Sequence, residues 1–403
     1  MTTGTATLSV PVDSPFGLAN LPYGIYSVPG GQPRVATRFG GHVVDLAVLL
    51  GDSGENRVFA EPTLNAFMAQ GRDRWVEVRQ ALRAALQREV PAGAVHDVDA
   101  VTLHLPFEVA DYVDFYASEH HASNLGRLFR PGNPDPLTPN WKHLPIGYHG
   151  RAASIAVSGT DIVRPAGQRI EPGDPAPVFG ASVRLDIEAE IGFVVGTGSP
   201  MGEPVPVDEA EHHIFGLVLF NDWSARDIQA WEYVPLGPNL GKSFASTVSP
   251  WVVPLLALEA ARVDTPKQQP TPLPYLAMER PWGLDIDLVV EWNGQVVSRP
   301  PYAAMYWSPA QMLAHLTVNG APTRTGDLFA SGTVSGPEKD QRGAFIELTW
   351  AGTEPITVAG AARTYLEDGD EVVITATAPG PDGTRIGFGE ARGRVVGNQI
   401  PVR

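Results

Sequence analysis

Cysteine is absent from this 403-residue sequence. Disulfides, thiolate metal sites and cysteine nucleophiles are therefore excluded. Long hydrophobic runs are missing too: nothing approaches the roughly 20 apolar residues that a membrane-spanning helix needs. The opening residues, MTTGTATLSV, lack the basic start and apolar core of a secretory signal, so a cytoplasmic location is expected. Positive charge is scarce. Lys and Arg number 29 against 45 Asp and Glu, a formal net charge of -16, so neither nucleic acid nor an anionic membrane is an expected partner. An anionic substrate would have to be held by a local cluster of cations or a bound metal ion. Common catalytic signatures are also missing: there is no G-x-x-x-x-G-K-S/T phosphate loop, H-E-x-x-H helix or G-x-S-x-G elbow. The glycines of GFGEARG (Gly387, Gly389, Gly393) have the wrong spacing for a dinucleotide fingerprint.

What remains is an ordinary globular composition, 43% hydrophobic and 18% charged, in a chain long enough for two domains. Residues 1–107 read as a small leading domain of brief strands broken by Gly and Pro. It contains one good helix, RDRWVEVRQALRAALQREV, with Trp75, Val78, Leu82 and Leu86 at helical spacing. Residues 108–403 read as a large, mostly β domain with long loops. Its strand-like runs include LDIEAEIGFVVG, HHIFGLVLF, LDIDLVVEWNGQVVS, AFIELTW and EVVITATA. Asn293-Gly294 is a type I′ hairpin signal. Short helices are expected at 222–231 and 308–318. The fold class is therefore mainly β (α+β).

Three stretches gather chemistry. In RLDIEAEIG, period-two alternation puts Leu185, Ile187, Ala189 and Ile191 on one strand face and Asp186, Glu188 and Glu190 on the other. Such an acidic face is either exposed to water or neutralised by a cation. Carboxylates without Cys or a His pair suit a hard ion, Ca²⁺ or Mg²⁺, and Asp114 and Asp222 are candidates to complete the site. DYVDFYASEHHASN brings His120 and His121 beside Asp114 and Tyr116; adjacent in the chain, at most one of the two histidines serves a site. Arg130, before Pro131-Gly132, either pairs at the surface or grips a carboxylate. NDWSARDIQAWEYVPLGPNLGK, residues 221–242, follows an apolar strand with Asp222, Arg226, Asp227, Gln229, Tyr233 and Lys242. As local structure it reads as a helix capped by Asp222, with Arg226 paired to Asp227. That account leaves Lys242, in a Gly-Pro-rich loop, without a role. Glu347, set in the apolar run AFIELTW, is costly to bury unless it is paired.

These stretches, together with NWKHLPIGYHGRAASIAVSGT, ASGTVSGPE and RIGFGEARG, resemble the fumarylacetoacetase family in order over most of residues 108–393. The resemblance implies an SH3-like N-terminal β-barrel ahead of a large mixed β-sandwich roll, assembled as a homodimer. It implies metal ligands at Asp114, Glu188, Glu190 and Asp222, and a general base at His121 with Glu347 as its partner acid. Substrate contacts fall on Tyr116, Arg130, Arg226, Gln229, Tyr233 and Thr333. Lys242 falls near a second cation and the leaving group; Ser246 stands beside that cation where close relatives usually carry threonine. Asp186 receives no role and is left as a screened surface residue. The implied reaction is metal-dependent hydrolysis of a carbon–carbon bond in a 1,3-diketo acid, 4-fumarylacetoacetate giving fumarate and acetoacetate at the end of tyrosine and phenylalanine breakdown. Two alternatives remain at this level, an acylpyruvate hydrolase or other diketo-acid enzyme of the same fold family, and a non-catalytic, metal-stabilised β-sandwich binding module.

Overall fold

A computed structural model of the chain describes residues 4–171 and 173–398. Its leading part contains strands β1 (Tyr23–Ser27), β2 (Arg34–Phe39) and β3 (His42–Asp45) and the helix α1 (Arg72–Ala85). There follow β4 (Tyr112–Phe115), α2 (Glu119–Phe129), β5 (Gly147–His149), β6 (Ala189–Val195) and β7 (Ile214–Asp222). Next come α3 (Arg226–Glu232), β8 (Ser246–Val248), β9 (Trp251–Pro254) and the hairpin β10 (Asp287–Trp292) and β11 (Gln295–Ser298). The chain closes with α4 (Pro309–Thr317), β12 (Leu328–Ala330), α5 (Phe345–Leu348), β13 (Glu371–Pro379) and β14 (Arg385–Val396).

One long mixed sheet organises the molecule. Its central order is β3-β2-β1-β9-β7-β6-β12-β4-β5, with β8 added beside β7. Most neighbours are antiparallel, but β12 and β4 run parallel. The apolar run IFGLVLFND is buried at every position because both sheet faces are covered. Leu217 and Leu219 point into the main core, while Val218 and Phe220 point into a second core shared with Trp75, Val78 and Leu82 of α1. The leading strands thus continue into the main sheet through β1 and β9, paired at Tyr23–Val252. Among the described residues no closed barrel is found.

A second sheet, with β14-β13-β10-β11 in order, packs over the main core. The Asn293-Gly294 turn joins β10 to β11, both residues at positive φ (51° and 75°) as a type I′ turn demands. The helix at 309–317 is capped by Ser308, whose side chain accepts from the Gln311 amide in a capping box.

Three local expectations are corrected. Residues 345–348 form a short helix rather than a strand. Here Asp186 accepts from the amides of Phe345 and Ile346, which have no partner within the helix at its start, and Phe345 stacks on Trp292 at 4.5 Å. The acidic stretch is not one strand: 185–186 pairs with 224–225, and β6 begins only at Ala189. Finally, residues 119–129 are an eleven-residue helix that alternation and composition did not reveal. Ser118 caps it by accepting from the His121 amide at 3.2 Å. No helix among the described residues is long and apolar enough to cross a membrane.

Candidate active site

The acidic residues converge at one edge of the main sheet. Asp114 lies near the end of β4, Glu190 near the start of β6 and Asp222 at the end of β7, while Glu188 sits in the break before β6. One carboxylate oxygen from each lies within 4.8 Å of the others, and all four residues are buried. Of the two readings of the acidic face, exposure to water is overturned. So is the surface placement of Asp186, which is fully buried and receives Arg226 Nε at 2.7 Å.

The electrostatics of this cluster follow from its contacts. Burial, then the neighbouring Asp222 charge, pushes Asp114 well above the usual carboxylate range. Burial and the charges of Asp114 and Glu188 do the same to Glu190, and burial also raises Asp222. Glu188 goes the other way: burial opposes its charge, but Lys242, Arg226 and His121 hold it below the ordinary range. Lys242 Nζ donates to Glu188 Oε2 at 2.5 Å and to Asp222 Oδ2 at 2.8 Å. Burial works against its ammonium, yet those two carboxylates keep its pKa above that of a free lysine. Tyr148 and Ser246 complete the shell of Asp222, donating to its two oxygens at 3.1 Å each.

The donor set fits a hard divalent cation. Asp114 Oδ1 and Glu190 Oε1 are buried with no hydrogen-bond partner, and buried orphaned acceptors of this kind are costly. At this site, among the described residues, six buried carboxylates (the four, Asp186 and Glu347) stand with two buried Lys/Arg side chains, Arg226 and Lys242. An all-oxygen carboxylate set is the chemistry of calcium or magnesium rather than zinc.

Beside this cluster stands an acid–base pair. His121, in the first turn of α2, places Nδ1 2.7 Å from Glu347 Oε2 and Nε2 3.7 Å from Glu188 Oε1. Glu347 also accepts from Asn124 Nδ2 at 2.8 Å and Ser335 Oγ at 2.9 Å. Burial alone would raise its pKa, but His121 and these donors hold it below the usual range, so it is ionised. The ionised acceptor fixes the proton of a neutral His121 on Nδ1 and leaves Nε2 free to accept one.

A cleft of about 290 Å³ opens above these groups, lined by Asp114, His121, Glu188 and Lys242 together with Tyr116, Arg130, Arg226, Gln229 and Tyr233. The Tyr116 ring meets His121 edge-on at 5.3 Å. Arg130 donates to the Pro136 carbonyl, and its buried Nε has no partner. Arg226 reaches Glu188 Oε1 at 2.8 Å and Gln229 Oε1 at 3.1 Å through Nη1, whereas its buried Nη2 is unpartnered. It does not pair with Asp227, whose carboxylate instead accepts from Ser182 Oγ and the Val183 amide. Nor is Asp222 the cap of α3, which starts after Ala225. Thr333 is buried, and its neighbour Gly332 rather than Thr333 lines the cleft. Ser246 faces a second cavity of about 380 Å³ on the far side of Lys242 and Tyr148.

Four contributors escaped the reading of the sequence: Tyr148, Asn124, Ser335 and Asp186. Asn124 was recoverable, because it lies three residues after His121 and shares its helix face once 119–129 is seen as a helix. Tyr148 and Ser335 carry no local signal, and Asp186 showed only as a member of the acidic face, with nothing local to say what it meets.

Comparisons with known proteins agree over nearly the whole chain. A family model for the C-terminal part of fumarylacetoacetate (FAA) hydrolase matches residues 111–396, and one for the N-terminal part of fumarylacetoacetase matches residues 19–106. The chain is similar to fumarylacetoacetase of Rattus norvegicus, at 47% identity over 96% of this chain and 98% of the relative. It is similar to fumarylacetoacetase of Arabidopsis thaliana at 45% identity, covering 96% and 97%. Among solved structures, the fumarylacetoacetate hydrolase of psychrophilic Exiguobacterium antarcticum shares the fold, with a TM-score of 0.57 at 16% identity, covering 94% of this chain and all of that one (100%).

Proposed function

The chain belongs to the fumarylacetoacetase family, and from that premise we propose how its cleft hydrolyses 4-fumarylacetoacetate to fumarate and acetoacetate. It is a hydrolase of carbon–carbon bonds in ketonic substrates, acting in tyrosine and phenylalanine catabolism. The observation that carries the assignment of roles is the His121–Glu347 pair, at 2.7 Å, directed at a buried four-carboxylate cluster inside one cleft.

Hydrolysis of a 1,3-diketone has two difficulties, a weak water nucleophile and a carbanion leaving group. For the first, His121 Nε2 takes a proton from water, and Glu347 steadies the imidazolium that forms on the other side of the ring. For the second, the donors that remain available are the Arg226 Nη2 edge, the Gln229 amide and the third N–H of Lys242, whose other two are engaged by Glu188 and Asp222. A preorganised donor to a developing oxyanion contributes about 3 kcal/mol. Asp114, Glu188, Glu190 and Asp222 would hold the cation, Ca²⁺ being the better match to four carboxylates; Lys242 and Ser246 border the place of a second ion, Mg²⁺. When bound, the first ion supplies Lewis-acid stabilisation of the enolate charge. Tyr116, Arg130 and Tyr233 receive the substrate carboxylates, supplying the local positive and donor groups that an acidic protein otherwise lacks. Thr333, whose buried Oγ1 has no partner, is the remaining substrate contact that the family match implies.

The finer architecture belongs to the same proposal: an SH3-like unit in residues 1–107, a β-sandwich roll in 108–403, a cytoplasmic location and a homodimer. Its support is the family match and the run of short antiparallel strands at 23–45.

The test follows the loss of fumarylacetoacetate absorbance with and without Ca²⁺ or Mg²⁺. Turnover that chelation abolishes and a divalent cation restores is expected. Preference for an acylpyruvate would transfer the chain to the neighbouring enzymes of the fold, and no turnover of any diketone would leave a binding module.

A further inference from the structure

Asp186 has no part in the reaction as described, yet its carboxylate is fully buried and takes four hydrogen bonds. Oδ2 accepts from Arg226 Nε at 2.7 Å and from the Ile346 amide at 3.1 Å. Oδ1 accepts from the amides of Ile187 and Phe345, each at 2.8 Å. The donors come from three separate segments, so the carboxylate is pinned by backbone on one side and presents a fixed acceptor to Arg226 on the other. No water is needed to satisfy it, and apart from the half-turn that exchanges its two equivalent oxygens, no rotation of the carboxylate keeps all four bonds.

This anchor bears on what Arg226 can do. A guanidinium is planar, so fixing two of its edges fixes the third. Asp186 holds Nε, and Glu188 with Gln229 holds Nη1; the unpartnered Nη2 is thereby set in one direction from a residue that lines the cleft. A buried arginine paired only with Glu188 would keep its charge but could swing about that single contact.

We propose that Asp186 is a positioning residue of the carbon–carbon hydrolysis, preorganising Arg226 so that its free N–H meets the leaving enolate oxygen. The assignment rests on the role given to Arg226 above. Asp186 neither lines the cleft nor belongs to the four-carboxylate cluster; it also holds the amides just before Glu347, and the Arg226→Gln background separates that contact from the one to the arginine.

Asp186→Asn tests it, since the amide is isosteric but must turn an NH₂ group toward the two donors of one oxygen, either Arg226 Nε and the Ile346 amide or the amides of Ile187 and Phe345. The expected result is a fall in kcat of about 10- to 100-fold, less than the roughly 10²- to 10³-fold lost when an oxyanion donor is deleted outright, with KM little changed. In an Arg226→Gln background the same change should cost no further kcat, because there is nothing left to aim. A lower Tm is expected in either case, because buried hydrogen bonds are lost; a merely structural Asp186 would instead leave kcat per folded molecule within about threefold or multiply with Arg226→Gln, and either of these overturns the proposal. Should Asp186→Asn not fold, Asp186→Glu probes the same contact: it keeps the charge and leaves Arg226 intact but displaces the acceptor from Nε. A comparable fall in kcat supports the anchor, and wild-type turnover refutes it. If Arg226→Gln itself retains full turnover, the role of Arg226 falls, and this inference falls with it.

Discussion

Replacing Glu347 by glutamine isolates the acid–base pair from everything else in the cleft. The side chain keeps its size, and Oε1 can still accept from Asn124 Nδ2, now at 2.8 Å. Ser335 Oγ, which donates to the carboxylate at 2.9 Å, can turn to accept instead. Folding should therefore survive with a loss of about 1–2 kcal/mol, the range for one impaired buried hydrogen bond. Catalysis should not. In the transition state His121 becomes an imidazolium whose charge lies roughly 4 Å from that of Glu347, worth about 4 kcal/mol at an effective dielectric constant near 20. At about 1.4 kcal/mol per decade, removing that charge lowers kcat by about a thousandfold. A tautomer effect adds to this: a glutamine NH₂ facing Nδ1 places the imidazole proton on Nε2, the atom that must accept one from water. KM should stay near the wild-type value, because Glu347 lies behind His121 and does not line the cleft. The assay is the decay of fumarylacetoacetate absorbance at saturating substrate, with circular dichroism to verify folding. A Glu347→Gln enzyme that turns over within about tenfold of wild type would refute the base-and-orienter reading.

Two further outcomes follow from the geometry. Burial and like charges raise the folded-state pKa values of Asp114 and Glu190, so in chelated protein the fold holds protons that the unfolded chain has lost above about pH 4. Stability of the chelated form therefore carries a contribution that falls as pH rises above that value, whereas a bound cation keeps both groups ionised and removes it; the Tm gap between Ca²⁺-loaded and chelated protein should widen from about pH 5 to about pH 8 by differential scanning fluorimetry, and a gap that narrows would count against a cation among these four carboxylates. The second concerns the helix that carries His121. A methyl group on Gly126 would sit 1.9 Å from the Pro136 carbonyl oxygen. Gly126→Ala must push α2 away from that loop at a cost of about 1–3 kcal/mol or more, lowering Tm and, by moving His121, kcat. Normal Tm and normal turnover in this variant would show that α2 is not held where the structure puts it.

The amino-acid sequence by itself determined the family, the mainly β class and the short roster of reactive residues. Absent cysteine, scarce cations and an acid-rich strand narrowed the chemistry to oxygen-ligated metal and histidine, and long specific runs such as NDWSARDIQ and WEYVPLGP carried the resemblance. Signals of that kind are local: alternation tells which side chains share a face, and turn chemistry tells where a hairpin closes, as at Asn293-Gly294. What alternation cannot tell is what covers the face. Asp186, Glu188 and Glu190 looked equivalent, yet the break before Ala189 sends Asp186 to Arg226 and to the amides of Phe345 and Ile346, about 160 positions away, while Glu188 and Glu190 meet Asp114 and Asp222. Glu347 and His121 are separated by 226 positions and share no motif, and only the packing of α2 against α5 makes them a pair. The tertiary structure decided these partnerships because the free energy of a buried charge depends on the groups that reach it, and those come from elsewhere in the chain.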